Sequence, residues 1–306
     1  MNVVAIKELM WTYHPLPDTF KVVPFAEIKD ANADVYVQAN IKECKKEKKI
    51  GHIYNFVADS GKPWICVESA VFRRNMPPPP NPMAYHRYSW FSYFRDEGNY
   101  NNENCPGDRY AQIEKDQKLT VKDWRINKGD YILVLLQRPG DSSLKNLVKR
   151  HGSYEGFITH TINEIKKYSD RPIRIRMHPL RQDRQLAVLE KLNLKDQISQ
   201  NMQGWGILEG GKGLYEDFQN AYAVVGFNSN GLTESVMEGI PTFSMCPSSM
   251  AWEVSNKDLS TLENPEYFER INWLNNLAYC QWREDECKAG LPWEHLKKVY
   301  QDVISK

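Results

Sequence analysis

The sequence predicts an α/β protein of two domains built on parallel, doubly wound sheets. Its strongest strand candidates are the runs at residues 131–136, 173–177 and 221–227. Segments with helical periodicity alternate with them, at residues 154–167, 185–192 and 214–220. Alternation of strand and helix favours a parallel sheet, and a chain of 306 residues is long enough for two domains of ordinary size.

The chain is predicted to divide into three parts, at residues 1–125, 126–262 and 263–306. The first part has strand candidates and a charged segment that is typical of a solvated helix. The strand candidates are residues 20–23, 35–37, 53–57 and 64–67, and the charged segment is residues 41–49. The last part has two helical patterns, at residues 265–277 and 292–304.

The composition excludes several classes of protein. The 40 basic and 39 acidic residues nearly balance, so binding to nucleic acid would need a local basic patch. The first ten residues lack the apolar run of a signal peptide, and no apolar run approaches the roughly 20 residues that span a bilayer. The six cysteines form no CxxC pair, which indicates reduced thiols rather than a zinc site. We therefore expect a cytoplasmic protein with no membrane partner.

The most informative stretch is residues 221–243, AYAVVGFNSNGLTESVMEGIPTF, which predicts a strand, a small polar turn and a helix. Free backbone N–H groups and the helix dipole make such a turn an anion site. Ser229, Asn230 and Gly231 are small enough for a phosphate to approach the backbone. Glu234 lies about one turn inside, where it can reach a ribose hydroxyl pair. The unit predicts a nucleotide site, and the alternative is an ordinary turn with Glu234 solvated.

Two other strand ends carry residues suited to the same ligand, since ligands of such sheets bind at the carboxyl ends of the strands. Pro179 restricts His178 to extended conformations and aims its ring outward, where an imidazolium would offset charge on a departing phosphate. Arg176 alternates with His178 and is expected to share its face. Arg138 follows the first strand and can donate to phosphates. The alternatives are a structural histidine and a plain polar turn.

Residues 71–110 are predicted to form a long ordered loop, because four consecutive prolines at 77–80 forbid helix. Basic and aromatic side chains alternate along it, and such residues grip phosphates and stack on bases. The candidate nucleic-acid contacts are Arg73, Arg74, His86, Arg87, Trp90, Arg95 and Arg109. A small aromatic core and a carbohydrate platform are the alternatives.

The donor half of this sequence resembles that of GT-B glycosyltransferases, in which a small-residue turn is followed by a Glu five positions before a Gly and then x-Pro. Glu234, Gly239 and Pro241 fit this pattern, and His178-Pro179 resembles the His-Pro motif of sialyl- and Kdo-type transferases. The resemblance implies two Rossmann-like domains facing a central cleft, with C-terminal helices packing back on the first domain. It also implies a nucleotide-sugar donor, with a UDP-sugar favoured over a CMP-sugar.

Such a transferase would be inverting and would work without a metal, since the donor half has no DxD signature and cationic groups with a helix dipole can replace the metal. A base from the first domain must deprotonate the acceptor hydroxyl. The carboxylate candidates are Glu68 at a strand end, and Asp96 with Glu97 in FRDEGNYNN; His86 is a further candidate.

The order of ESAVFRRN, the aromatic block and DEGNYNNENCPGDR is similar to that of small glycosyltransferases of tailed phages, which add arabinose to 5-hydroxymethylcytosine in DNA. This similarity implies duplex DNA with hydroxymethylated bases as acceptor and a pentose such as arabinose as the sugar. The near-zero net charge counts against DNA. A surface polysaccharide or lipid-linked glycan is the alternative acceptor, and a non-catalytic nucleotide- or nucleic-acid-binding module is the alternative from another class.

Overall fold

The computed structural model describes residues 1–10, 14–39, 50–72, 85–199 and 212–305. The chain forms two compact units. Unit 1 contains Met1–Lys118 and Leu274–Lys306, and unit 2 contains Leu119–Trp273. The sequence places the first boundary at residue 125 and separates residues 263–306 from both domains. In the structure, the last segment from Leu274 onward belongs to the N-terminal unit.

Up to Gln117, the described part of unit 1 forms five strands and two α-helices. In chain order they are β1 (Val3–Ile6), β2 (Lys21–Val23), β3 (Val35–Ala39), α1 (Gly51–Asp59), β4 (Trp64–Ser69), β5 (Tyr85–Trp90) and α2 (Asp108–Gln117). The elements of unit 2 follow as β6 (Tyr131–Leu135), α3 (Lys145–His151), α4 (Tyr154–Tyr168), β7 (Ile173–Arg176), α5 (Gln182–Lys191), α6 (Lys212–Gln219), β8 (Ala221–Gly226), α7 (Asn230–Met237) and β9 (Thr242–Ser244). The chain ends with α8 (Ile271–Ala278), in which the unit boundary falls, β10 (Gln281–Arg283), α9 (Glu284–Lys288), α10 (Leu291–Leu296) and α11 (Tyr300–Ile304).

Unit 1 has a six-stranded sheet of order β10-β5-β4-β3-β1-β2, in which β1 to β4 are parallel. β5 runs antiparallel to β4 and pairs Trp90 with Ile65 and His86 with Ser69. β10 then pairs antiparallel with β5, so the C-terminal segment completes the sheet of the N-terminal unit. Trp282 and Trp293 of that segment pack in one core cluster with Trp90.

Two local predictions for unit 1 were wrong. Residues 53–57 are helical in α1, because Ile53, Tyr54 and Val57 form one buried stripe at helical spacing. Residues 85–90, predicted as part of a loop, form β5, in which all six residues are buried. A strand buried on both faces loses the alternation of apolar and polar residues, and this concealed β5.

Unit 2 has a four-stranded, fully parallel sheet of order β7-β6-β8-β9. Three of its strands, β6, β7 and β8, agree with the predicted segments to within one residue at each end. The core lies between the sheet and the helices around it, with Val134, Phe157, Val225 and Phe243 among its buried members. Within the described ranges, no helix is long and apolar enough to cross a membrane.

Candidate functional site

The order of the strands in unit 2 reverses between β6 and β8. The chain goes from β6 to β7 on one side, and then crosses to β8 on the other side of β6. In open α/β sheets, such a reversal leaves a crevice outside the carboxyl ends of the two strands, and ligands bind there. We refer to the carboxyl ends of β7, β6 and β8 with the loops that follow as the switch edge.

The strand register brings three loops to the same level at the switch edge. Leu135 of β6 is paired with Arg176 of β7 and with Gly226 of β8. Two residues further along each strand are therefore His178, Gln137 and Asn228. Neighbouring strands are about 4.8 Å apart, so His178 and Asn228 begin their loops about 10 Å from each other.

Gln137 and Asn228 join the first and third of these loops. Gln137 Nε2 donates to Asn228 Oδ1 at 2.7 Å and to Ser143 Oγ at 2.9 Å. Gln137 Oε1 accepts from the Asn228 backbone N–H at 3.2 Å, and Asn228 Nδ2 donates to the Ser143 carbonyl oxygen at 2.9 Å. Tyr154 OH donates to the Gln137 carbonyl oxygen at 2.8 Å. This reciprocal pairing fixes the two loops on either side of the switch point.

Helix α7 begins directly after Asn228, with its N-terminus at the switch edge. Ser229 has extended backbone angles and its Oγ accepts from the Gly231 N–H at 3.2 Å, which is the geometry of an N-cap. A Cβ at Gly231 would lie 2.8 Å from Leu135 Cδ1, so the absence of a side chain allows the helix to start close against β6. Asn230 is the first residue of the helix and Glu234 lies partly buried one turn further on.

His178 lies partly buried after β7, and its ring orientation is fixed locally. The Leu180 N–H donates to His178 Nδ1 at 3.0 Å, so Nδ1 is unprotonated and the ring proton is on Nε2. An imidazolium was expected at this position. The hydrogen bond to Nδ1 fits a neutral ring instead, and its Nε2 proton is suitable for donation to a phosphate oxygen.

Arg176, which alternates with His178 and was expected to share its face, has an ion-pair partner within the protein. It is buried and forms an ion pair with Asp217, with Nη1 and Oδ2 2.6 Å apart and the Asp217 side chain fully buried. Asp217 Oδ1 also accepts from Ser199 Oγ. Since the guanidinium neutralises a buried carboxylate, we remove Arg176 from the proposed ligand contacts.

Arg138 lies at the switch edge, where it is held by its own loop. Its Nη2 is 2.6 Å from Asp141 Oδ2, and Asp141 Oδ1 accepts from the Ser143 N–H at 3.0 Å. The Arg138 side chain is 41% exposed, so the pair is accessible to a ligand.

The three carboxylates proposed as base come at or after the ends of β4 and β5, which are antiparallel neighbours in the unit 1 sheet. Glu68 is near the carboxyl end of β4, partly exposed, with Oε1 accepting from the Ser69 N–H at 2.8 Å. β5 runs the other way and ends beside the start of β4, where the Trp64 indole donates to the Phe91 carbonyl oxygen. Asp96 and Glu97 follow this end of β5, in a loop that begins at the amino edge of the parallel strands and in which Tyr93 and Phe94 pack against Cys66 of β4. Of the three carboxylates, Glu68 is the one on a strand end of the kind at which ligands of parallel sheets bind.

The described members of the basic and aromatic segment are mostly interior. Trp90 is 0% exposed and its indole donates to the Leu296 carbonyl oxygen at 3.1 Å. Arg87 is 4% exposed and donates to the carbonyl oxygens of Ser69 and Tyr93. Burial, with the neighbouring His14, lowers the pKa of His86 to about 4. These side chains are not available to a nucleic-acid backbone.

Two further candidates in this segment are at least partly accessible. Arg109 pairs with Glu286 at 2.9 Å and stacks 3.8 Å from the centre of the Trp282 ring. Arg95 is partly exposed. Arg73 and Arg74 lie outside the described residues, as does the charged segment 41–49. Within the described ranges, no group of three or more His, Cys, Asp or Glu side chains is arranged to hold a metal ion.

Gln137 and Asn228, which form the polar centre of the switch edge, were not among the predicted site residues. The signal was their position, since each follows an apolar strand directly and the strands prove to be adjacent. Pairing of β6 with β8 is a long-range property that local pattern does not give.

A scan against protein-family models and a search of curated proteins each gave no match. Among solved structures, the chain is similar to the β-Kdo 2,4 transferase of KpsC from Thermosulfurimonas dismutans, with a TM-score of 0.59, 13% identity and 92% of each chain covered. It is also similar to the β-Kdo 2,7 transferase of the same protein, with a TM-score of 0.50, 12% identity and 97% and 99% of the two chains covered. These likenesses are at the level of the fold. They confirm the predicted GT-B class with its two Rossmann-like domains.

Proposed function

We propose that the protein is a metal-independent, inverting GT-B glycosyltransferase that binds a nucleotide-sugar at the switch edge of unit 2. The observation that carries the proposal is the joining of Gln137 and Asn228 at the switch point, where the capped N-terminus of α7 begins. Such a helix start presents backbone N–H groups and a positive dipole end to an anion. The donor phosphates supply that anion.

Each residue of the switch edge has a distinct part in holding the donor. The Ser229 oxygen accepts from Gly231, which leaves the hydroxyl proton to donate to a phosphate oxygen together with the first N–H groups of α7, at Asn230 and Gly231. His178 donates from Nε2 to the phosphate oxygen that leaves the sugar. Glu234 accepts from ribose hydroxyls, and Arg138 adds positive charge at the rim. A UDP-sugar remains the favoured donor and a CMP-sugar the second.

The transfer is a single displacement. The acceptor hydroxyl gives its proton to a base while its oxygen attacks the anomeric carbon and forms the new C–O bond. The bond between the anomeric carbon and the phosphate oxygen breaks, and its electron pair leaves with the nucleotide. Hydrogen bonds from His178 and α7 stabilise the negative charge that grows on that phosphate. The anomeric configuration inverts because attack and departure occur on opposite faces.

Glu68 is the proposed base, because its carboxylate lies at the carboxyl edge of unit 1. We predict that Glu68→Gln lowers kcat by about 10²- to 10⁴-fold, the usual contribution of general base catalysis. Asp96→Asn and Glu97→Gln, in the loop after β5, should stay within about twofold of wild type. Steady-state kinetics with saturating donor measures this. Equal losses in all three variants would contradict the assignment of the base.

The acceptor proposed on the sequence similarity to the phage enzymes is the hydroxymethyl group of modified cytosine in phage DNA, with a pentose such as arabinose transferred. The burial of Arg87 and Trp90 removes part of the argument from the basic and aromatic segment. The second candidate is a glycan acceptor. It is favoured by the fold likeness to two Kdo transferases, together with the His-Pro motif at His178.

Transfer from a panel of UDP- and CMP-sugars, including UDP-arabinose and CMP-Kdo, tests these assignments. Duplex DNA with and without hydroxymethylcytosine is one acceptor set, and oligosaccharides are the other. Mass spectrometry of released nucleosides should show a pentose added to the modified base. Addition to oligosaccharide alone would move the acceptor to a glycan. Donor binding without turnover across the panel would favour a non-catalytic nucleotide-binding module, and absence of both turnover and donor binding would contradict the proposed function.

A further inference from the structure

Gln185 is a fully buried polar residue on α5 whose side chain is used entirely by the loop that carries His178. Its exposed fraction is 0%. Its Oε1 accepts from the His178 backbone N–H at 2.7 Å. Its Nε2 donates to the His178 carbonyl oxygen at 2.9 Å, and contacts the carbonyl oxygens of Leu180 and Arg181 at 2.9 and 3.2 Å.

The orientation of the Gln185 amide follows from these partners. A backbone N–H requires an acceptor and carbonyl oxygens require donors, so the amide oxygen must face the His178 nitrogen. One side chain therefore holds both backbone polar groups of His178. It reproduces the pairing that a neighbouring strand would give, at the point where β7 has ended.

The same loop has a backbone conformation that needs support. Arg181, which precedes α5, has φ of 58°, a left-handed conformation that is unfavourable for a residue with a Cβ. The turn from His178 to Arg181 also brings the Leu180 N–H to His178 Nδ1 at 3.0 Å. Gln185 contacts His178, Leu180 and Arg181, so it holds the turn that sets the tautomer of the ring.

We infer that Gln185 is a positioning residue for His178: by clamping the turn from His178 to Arg181, it keeps the ring proton on Nε2 and aims that nitrogen at the switch edge. This inference rests on the proposed function for its effect on activity, and on the geometry alone for its effect on the ring. Gln185 contacts no substrate in this role. If the residue at this point of α5 only filled space, Leu or Met would serve as well as Gln. Either substitution would remove the four hydrogen-bond contacts that Gln185 makes with the backbone of the turn.

The test compares Gln185→Met with wild type and with Leu189→Ala. Gln185→Met keeps the length of the side chain and removes its polar atoms. Leu189 is buried on the same helix and packs in the unit 2 core, so its truncation destabilises α5 without touching the turn. The readouts are the ¹⁵N spectrum of the His178 ring, assigned with His178→Gln, and donor kinetics of the full chain.

In wild type and in Leu189→Ala, we expect a ring signature of an unprotonated Nδ1 and a protonated Nε2. Gln185→Met should lose this fixed tautomer and lower kcat/KM for the donor by about 10- to 100-fold, as for small misplacements of reacting groups. A tautomer and kcat/KM unchanged in Gln185→Met would overturn the inference, and so would an equal loss of both in Leu189→Ala.

Gln185→Glu adds a second readout. A carboxylate there would face three carbonyl oxygens, and burial would raise its pKa, so the protonated form would donate again as the pH falls. Activity of this variant should recover toward acidic pH relative to Gln185→Met. If wild type has no glycosyl transfer at all, the proposed function fails, while the ring spectra of the same variants still decide the role of Gln185.

Discussion

β5 of unit 1 and the loops of the switch edge in unit 2 contrast in composition and in position. β5 has the sequence YHRYSW, with two basic and three aromatic residues, and every one of its side chains is buried. The loops after β6 and β8 have small polar residues, and these meet where the strand order reverses. The segment rich in basic and aromatic side chains therefore belongs to the core of unit 1, whereas the polar loops of the switch edge form the candidate site.

The difference lies in the sheet positions of the two segments. β5 is an inner strand between β4 and β10, so both its edges are hydrogen-bonded, and its side chains on both faces are buried. Trp90 packs with Trp293 on one face, and Arg87 stacks toward Tyr93 on the other. The switch edge is at strand ends, where backbone groups turn outward. Position relative to the sheet therefore decides accessibility more than residue type does.

The largest expected effect comes from removing the Trp90 side chain. Trp90→Ala should lower the free energy of unfolding by about 3–5 kcal/mol, since it empties a fully buried site and deletes the hydrogen bond to Leu296. Urea denaturation measures the change. A loss of DNA affinity with unchanged stability would instead show that this face of β5 is a binding surface.

The buried His86 should make unit 1 sensitive to acid. Burial lowers its folded pKa to about 4, against an ordinary value of 6.5; His14 adds to this, whereas Glu284 and Glu68 oppose it. The unfolded chain therefore binds the proton first as the pH falls, so stability is complete above pH 6.5 and is lost between pH 6.5 and about 4. This interval corresponds to on the order of 3 kcal/mol. Burial lowers the pKa of His14 to about 3, which extends the loss to lower pH.

Urea unfolding at several pH values should therefore give a flatter profile for His86→Gln than for wild type. The comparison uses the slope with pH, because the substitution also changes the stability at neutral pH. Parallel profiles would mean that His86 is protonated in the folded protein or is solvated.

Gln137→Leu tests whether the switch edge depends on its polar centre. The variant leaves the Asn228 amide and backbone N–H without their Gln137 partners, at a cost of about 1–3 kcal/mol. We expect donor binding to weaken together with stability, since the loops on both sides of the switch point are released. Calorimetric titration with nucleotide and urea denaturation follow the two effects. Unchanged nucleotide affinity would show that the hydrogen bonds between Gln137 and Asn228 do not contribute to nucleotide binding.

The smallest expected effect on stability is that of the helix cap. Ser229→Ala should cost about 1 kcal/mol, because the Gly231 N–H loses its acceptor. Ser229→Asn, which can also cap, should restore stability. If Ser229 also donates to phosphate, donor affinity in the Asn variant should stay below wild type, and full restoration of affinity would limit the residue to capping.

Much of the unit 2 fold could be predicted from the sequence. The strands at 131–135, 173–176 and 221–226 were found because apolar runs bounded by polar turns are local signals. In unit 1, β5 and α1 were misassigned, because burial on both faces hides the strand period and a short apolar run fits strand or helix equally well. β10 was missed, since its pairing with β5 spans nearly two hundred residues.

The candidate site could be predicted only in part. Ser229, Gly231, Glu234 and His178 were proposed from turn and strand-end signals, and all four lie at the switch edge or on the helix that begins there. The ion pair of Arg176 could not be predicted, since its partner Asp217 is 41 residues away and alternation along a strand does not reveal it. The choice of Glu68 over Asp96 and Glu97 as the proposed base depends on the direction of β5. That direction is known only from the antiparallel pairing of β5 with β4.

Calorimetric titration of UDP and CMP into wild-type protein is the most direct test of the central claim, that the switch edge of unit 2 binds the donor nucleotide. We predict binding of one nucleotide per chain. His178→Ala and Glu234→Ala should each weaken it by about 10-fold or more, because each removes a hydrogen bond in which one partner is charged. Asp96→Asn serves as the control and should bind as wild type does. No binding of either nucleotide, or affinity undiminished in both variants, would contradict a nucleotide site at the switch edge.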